Sequence, residues 1–377
     1  MVKKTIVISA VNLVEAGTLA ILRDCLSYLS KLAEQGEYKV IALVYDKKLA
    51  YFPNIEYIET QWPKKRWTNR LWYEYVSMKK ISKQLSPVYL WFSLHDTSPS
   101  VVAQRRAVYC HNSYSFYKWK LHDLIFAPKI ALFALFTKYI YKTNILRNNY
   151  LVVQQEWFRK AMSKMFGVDY SKIIVAKPSQ AIEKAASIAE PFERFTFIFA
   201  GSPNSHKNFE VICRAAALLE KQGINDFRVC ITVSGKENKY AGWLYENWGG
   251  LQTVDFIGFQ SKENLLQYYE KSSCLIFPSK VESWGLPISE YAQYHKPMLL
   301  ADLPYAHETA AGAKLVSYFN PESADELAAK MQALIKGDKS AFVSEPFLEH
   351  KEPYAENWKE LFEILLTDKK YESTSTG

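Results

Sequence analysis

Two carboxylates eight positions apart, Glu282 and Glu290, flank the turn Ser283-Trp-Gly-Leu-Pro. The apolar run Cys274-Leu-Ile-Phe-Pro-Ser precedes them and reads as a buried parallel strand. Ile288-Ser-Glu-Tyr-Ala-Gln-Tyr reads as the first turns of a helix. Glu282 therefore falls in the loop at a strand's carboxyl end, and Glu290 just inside the next helix. Ligands of open α/β sheets bind at that edge. A buried acid in such a loop needs donors, and sugar hydroxyls are good ones. A Glu near a helix start is also favoured by the helix dipole alone, so the pair takes its meaning from its surroundings.

Ala200-Gly-Ser-Pro-Asn-Ser-His-Lys-Asn208 follows a second apolar run and leads into another helix. A Gly turn entering a helix amino terminus offers N–H groups and the dipole to an anion. Lys207 adds a positive charge suited to a diphosphate; otherwise the segment is an ordinary strand-to-helix loop with a solvated Lys. Val108-Tyr-Cys-His-Asn112 puts His111 at the carboxyl end of a strand, with Asn112 beside it. His95, in Ser93-Leu-His-Asp-Thr, is a rival at another strand end, and the sequence alone does not rank the two.

Glu282-Ser-Trp-Gly-Leu-Pro, Glu290, Lys296-Pro-Met-Leu-Leu-Ala-Asp-Leu-Pro and Glu308 together resemble family 4 glycosyltransferases of the GT-B fold, which carry an E-x7-E signature here. The likeness is strongest over 195–335 and topologically consistent before it. It implies two Rossmann-like doubly wound α/β domains facing a cleft, with a C-terminal helix crossing back to the first. It also implies a retaining transfer of sugar from a nucleotide-diphosphate sugar, UDP- or GDP-linked, to an acceptor hydroxyl. No metal and no cofactor beyond that co-substrate is expected.

Carried over residue by residue, the likeness gives Glu290 the ribose hydroxyls and Glu282 those of the donor sugar. Gly201, Lys207 and Asn208 fit a phosphate-contacting pattern, although Ser202 stands where an Arg is common. Backbone N–H groups of Trp284, Gly285 and Leu286, after Ser283, would stabilise the departing diphosphate. Ser234-Gly-Lys-Glu-Asn238 resembles a loop beside the nucleotide, and Ile257-Gly-Phe259 a strand end that meets the base through backbone groups. Gly17 ends a first loop, Asn12 to Gly17, that lies near acceptor and phosphate in the family. His111 would position the sugar and share the acceptor proton. Glu282 as a nucleophile forming a glycosyl-enzyme is the mechanistic alternative. A sugar-nucleotide epimerase and a catalytically silent GT-B partner subunit are the functional ones. A nicotinamide-dependent Rossmann enzyme is disfavoured because no G-x-G-x-x-G follows a strand.

The elements that must position these residues alternate between strand and helix. At 377 residues the chain suits two domains, assigned to 1–178 and 190–350, with 178–193 as linker, a helix at 351–368 and a polar tail at 369–377. Five scattered cysteines form no C-x-x-C pair and read as buried thiols of a reducing cytosol. The amino-terminal apolar run is too short for a signal peptide and reads as a first strand, and no stretch reaches membrane-span length. The first 178 residues hold 27 Lys+Arg against 12 Asp+Glu, net +15; the remainder is −7. That basic half, rich in aromatics, suits an anionic partner: a membrane face or a lipid-linked glycan precursor. Nucleic acid fits the charge but is disfavoured for want of a reader module. Cytoplasmic placement, at the inner face of the cell membrane, follows as an expectation.

Overall fold

The computed structural model describes residues 3–14, 16–178 and 190–367. Most of the expected linker, and the tail from 369, lie outside those residues. Seven strands come first: β1 (Lys4–Ser9), β2 (Tyr38–Val44), β3 (Ile55–Glu59), β4 (Val88–Ser93), β5 (Arg105–Tyr109), β6 (Tyr150–Val153) and β7 (Ile173–Ala176). Then follow β8 (Phe195–Phe199), β9 (Phe227–Ile231), β10 (Val254–Phe256), β11 (Cys274–Phe277), β12 (Met298–Ala301), β13 (Val316–Phe319) and the short β14 (Tyr354–Ala355).

These strands build two parallel sheets, each in its own unit. The first has the order β3-β2-β1-β4-β5-β6-β7-β14, and the second β10-β9-β8-β11-β12-β13. Both start in the middle, run to one edge, then return and run to the other, the doubly wound order. The central strands are largely apolar on both faces, as helices covering both sides require. In β1, Ile6 and Ile8 enter one core with Leu22, Leu26 and Phe92, while Val7 enters the opposite core with Tyr73 and Trp91. All five cysteines are buried free thiols.

The units are not two consecutive pieces. The first comprises 1–115, 135–179 and 350–377; the second comprises 116–134 and 180–349. A division at 178 placed 116–134 in the first. The segment joins the second because its short helix Leu121–Phe126 packs His122 edge-on and Phe126 at a tilt against Trp243, at ring distances of 5.2 and 5.0 Å. Lys120 also pairs with Glu322 at 2.7 Å.

Two helices differ from their sequence outline. The stretch expected as one helix over Thr68–Leu85 has a π-helical centre, Tyr73–Ser77, between Trp67–Trp72 and Met78–Gln84. The wider turn holds Tyr73 and Glu74 inward, where both are buried. At the end of the chain the helix spans only Trp358–Leu366, because Pro353 and β14 keep the preceding residues extended. Asn357 caps it by accepting the Glu360 N–H at 3.0 Å.

Leu361, Phe362 and Leu365 recur at helical spacing and enter the first unit's core. Phe362 packs on Phe92 edge to face and stacks on Tyr28. Phe362→Ala should lower unfolding free energy by about 3–5 kcal/mol, read as a drop in the denaturation midpoint of the first unit.

Candidate active site

In the second sheet the strand order reverses between β8 and β11, which are hydrogen-bonded neighbours. Crossovers on either side of such a point leave to opposite faces, and the two carboxyl ends flank a crevice. Lys207 follows β8 and Glu282 follows β11. Parallel pairing of these strands brings together residues 75 positions apart in sequence, and their side chains form an ion pair. Glu282 is 13% exposed and Lys207 18%, so the pair is shielded yet reachable.

Neutral, buried contacts fix the loops that carry the pair. The Asn208 amide donates to the carbonyls of Pro278, at 3.2 Å, and Pro321, at 2.7 Å, tying together the loops after β8, β11 and β13. Tyr305 Oη donates to the Ser279 carbonyl at 2.6 Å, and the Lys280 N–H to the His206 carbonyl at 2.8 Å. Trp284 is buried; its indole N–H donates to Ser289 Oγ at 3.1 Å, and its carbonyl accepts from the Thr309 hydroxyl. Gly285 turns the chain into the helix Leu286–Ala292 with φ +93°. A side chain there would adopt a conformation L residues avoid, 3.4–3.7 Å from Ile288, Phe277 and Tyr305.

Glu290 lies on that helix, one fifth exposed, paired with Lys262 of the helix Lys262–Lys271. Ser283 stands between Glu282 and the buried Trp284, half-buried. Gly201 exchanges two hydrogen bonds with Thr232 Oγ1, at 2.9 and 3.0 Å, and a Cβ there would crowd the Phe199 ring at 3.2 Å. Ser202 is exposed, its hydroxyl accepting from the Asn204 amide. Ser234 donates its N–H to Glu237 at 2.6 Å.

Several expected contacts are already spent within the fold. The helix Phe209–Lys221 does not present an open positive end to an anion: its first turn is buried and carries Glu210, which accepts from Tyr240 and lies 3.4 Å from Lys280. Asn208 is equally buried, its amide engaged as described. Ile257 gives its N–H to the Ile231 carbonyl and its carbonyl to Gln260, leaving Phe259, 88% exposed, as the accessible neighbour. Trp284 contributes backbone, not an exposed ring. Lys262, Lys280 and Thr232 escaped sequence reasoning, since each reaches the site from an element that carries no motif.

In the first unit the order reverses between β1 and β4. Gly17 does not end the loop after β1; it lies in the first turn of the helix Ala16–Glu34. His95 follows β4 and is 1% exposed, with Nδ1 3.0 Å from Thr97 Oγ1 and 3.3 Å from Glu74 Oε1. Burial lowers its proton affinity, only partly offset by Glu74. His111 follows β5, and its side chain is 10% exposed. Of the two histidines, His111 alone keeps measurable access to solvent.

Residues 181–344 match the family model described as Glycosyl transferases group 1. The chain carries a glycosyltransferase group 1 domain. The chain is similar to the O-antigen chain mannosyltransferase RfbU of Salmonella typhimurium, 24% identical over 207 residues. That alignment covers 54% of this chain and spans about half the length of the relative, 56%. Among solved structures it is similar to sucrose-phosphate synthase from Thermosynechococcus elongatus, with TM-score 0.65, 13% identity, and coverage of 90% and 91% of the two chains. It is also similar to WaaG, a glycosyltransferase involved in lipopolysaccharide biosynthesis, with TM-score 0.59, 16% identity, and coverage of 88% and 92%. The fold is GT-B, as the sequence reading expected, and the ion pair belongs to the group 1 domain.

Next to Lys207, His206 is buried, and its proton affinity is held well below the ordinary histidine range, first by burial, then by Lys207 and Lys280. Its folded pKa lies below the unfolded one, so the associated stability is complete above about pH 6.5 and is lost as pH falls, when the unfolded chain takes a proton the folded one refuses. His206→Gln should therefore flatten part of the fall in melting temperature between about pH 7 and about pH 5, followed by differential scanning fluorimetry.

Proposed function

We propose that this protein is a retaining glycosyltransferase of the family 4 type, moving a sugar from a nucleotide-diphosphate sugar to an acceptor hydroxyl. The observation that carries the reading is the shielded Lys207–Glu282 pair at the reversal point of the group 1 domain. Each partner satisfies the other's charge when no donor is bound. A nucleotide sugar offers both a replacement: its diphosphate takes Lys207, and its sugar hydroxyls take Glu282. Neither charge is left buried and unpaired by that exchange, so donor binding avoids the penalty that breaking a shielded pair would otherwise carry.

In this reading Glu290 holds the ribose hydroxyls. Lys207 and the backbone N–H groups at Trp284–Leu286 stabilise the leaving diphosphate, where charge grows in the transition state. The acceptor hydroxyl attacks on the leaving-group face, with a diphosphate oxygen as base, and His111 positions the sugar. Glu282 serves as a hydroxyl ligand, since a nucleophile would have to sit free beneath the anomeric carbon.

The relative's name, O-antigen chain mannosyltransferase, supports a surface-polysaccharide or lipid-linked acceptor and makes a mannose-bearing donor the first to try. A thermal-shift panel of UDP, GDP and their sugar conjugates tests the site. One diphosphate nucleotide at 100 times its dissociation constant should add about 2.7 kcal/mol of stability, lost in Glu290→Ala. No stabilisation by any nucleotide would overturn the enzyme reading in favour of a silent partner subunit.

The helix Pro128–Lys142 supports work at a membrane face. Leu132, Leu135, Phe136 and Tyr139 are more than half exposed and share one side at helical spacing. Lys138 and Lys142 are exposed on the same helix, and Lys118 and Lys120 just before it. No helix among the described residues is long and apolar enough to cross a membrane; this stripe suits shallow insertion between anionic headgroups. The protein should sediment with vesicles containing phosphatidylglycerol and not with pure phosphatidylcholine. Leu132→Glu with Phe136→Glu should abolish the sedimentation.

A further inference from the structure

Asp96, in the turn after β4, adopts φ +68°, a left-handed conformation that Asp and Asn tolerate better than other side-chain-bearing residues. Its carboxylate reaches across to the end of β5. Oδ1 accepts the main-chain N–H of His111 at 2.7 Å and that of Asn112 at 2.8 Å. Oδ2 faces His111 Nε2 at 3.3 Å. The other ring nitrogen, Nδ1, is buried and has no hydrogen-bond partner among the described residues. One carboxylate thus fixes both the backbone and the ring of the same histidine. From a neutral imidazole a carboxylate can only accept, and that form of the ring carries its proton on Nε2 and leaves Nδ1 bare. A buried acceptor without a donor calls for one.

We infer that Asp96 is a positioning residue that locks His111 in the Nε2–H tautomer and so fixes the ring orientation and protonation pattern with which His111 meets the substrate. The catalytic side of this inference rests on the role proposed for His111; the tautomer does not.

Asp96→Asn separates the two levels. The Asn side chain tolerates the same backbone conformation, and its oxygen still accepts both main-chain N–H groups. Its amide now donates toward Nε2, which must become the acceptor, forcing the proton to Nδ1. The test is two-bond ¹⁵N–¹H correlation on protein labelled at histidine ring nitrogens, at about pH 8, with His111 assigned by its loss in His111→Gln. The wild type should show the Nε2–H pattern and Asp96→Asn the Nδ1–H pattern, with melting temperatures alike. Turnover of the nucleotide sugar selected by the thermal-shift panel should fall roughly 10- to 100-fold in Asp96→Asn, the loss expected when a buried acceptor is turned into a donor. An Nδ1–H pattern in the wild type, or no switch in the variant, overturns the inference, and the wild-type spectrum decides even should the variant fail to fold. A tautomer switch with turnover unchanged would overturn the catalytic role of His111 instead.

Discussion

Parallel strand pairing is the constraint on which the candidate site depends. A parallel strand cannot return to its partner through a tight turn, so each connection crosses a face of the sheet and every carboxyl-end loop collects at one edge. Where the strand order reverses, neighbouring connections leave to opposite faces and the edge opens. Lys207 and Glu282 owe their meeting to this, since β8 and β11 are neighbours at the reversal of the second sheet. The first sheet reverses between β1 and β4, and Asp96 stands in the turn after β4.

A crevice alone does not hold two charges in register. The loops around the pair are fixed by buried neutral contacts: the Asn208 amide on two proline carbonyls, Tyr305 on Ser279, and Trp284 on Ser289. Each group would be costly to leave unpaired away from water, so each is committed to the fold and unavailable to a ligand. Glu210 is committed in the same way, to Tyr240 and Lys280. The Lys207–Glu282 pair differs in kind. Both its members are charged and partly reachable. Rigid neutral ties around a shielded, reachable ion pair are what a preorganised site for a charged ligand requires.

The first unit applies the same economy to a histidine. Asp96 combines a strained backbone conformation, two main-chain hydrogen bonds and a ring contact in one residue. His95, one residue earlier, is closed off among Glu74, Arg70 and Thr97. Glu74 lies in the π-helical stretch at Tyr73–Ser77 and faces the His95 ring from there.

The sequence by itself determined the alternation of strand and helix, because two-sided burial leaves uninterrupted apolar runs and helical faces leave a 3.6-residue rhythm. It also singled out Glu282 and Lys207, whose strand-end positions follow from those runs, and Glu290 on the helix that comes next. Tertiary structure decided what spacing does not encode. Lys262 and Lys280 meet their acids across loops far apart in the chain; Asn208 and Trp284 turn inward as ties; Glu210 fills the helix end that looked open to an anion. Segment 116–134 joins the second unit because aromatic packing against Trp243 outweighs its place in sequence. Local patterns record which face of an element is buried. Which partner waits there is set by strand order and by long-range packing, and no local window of sequence contains either.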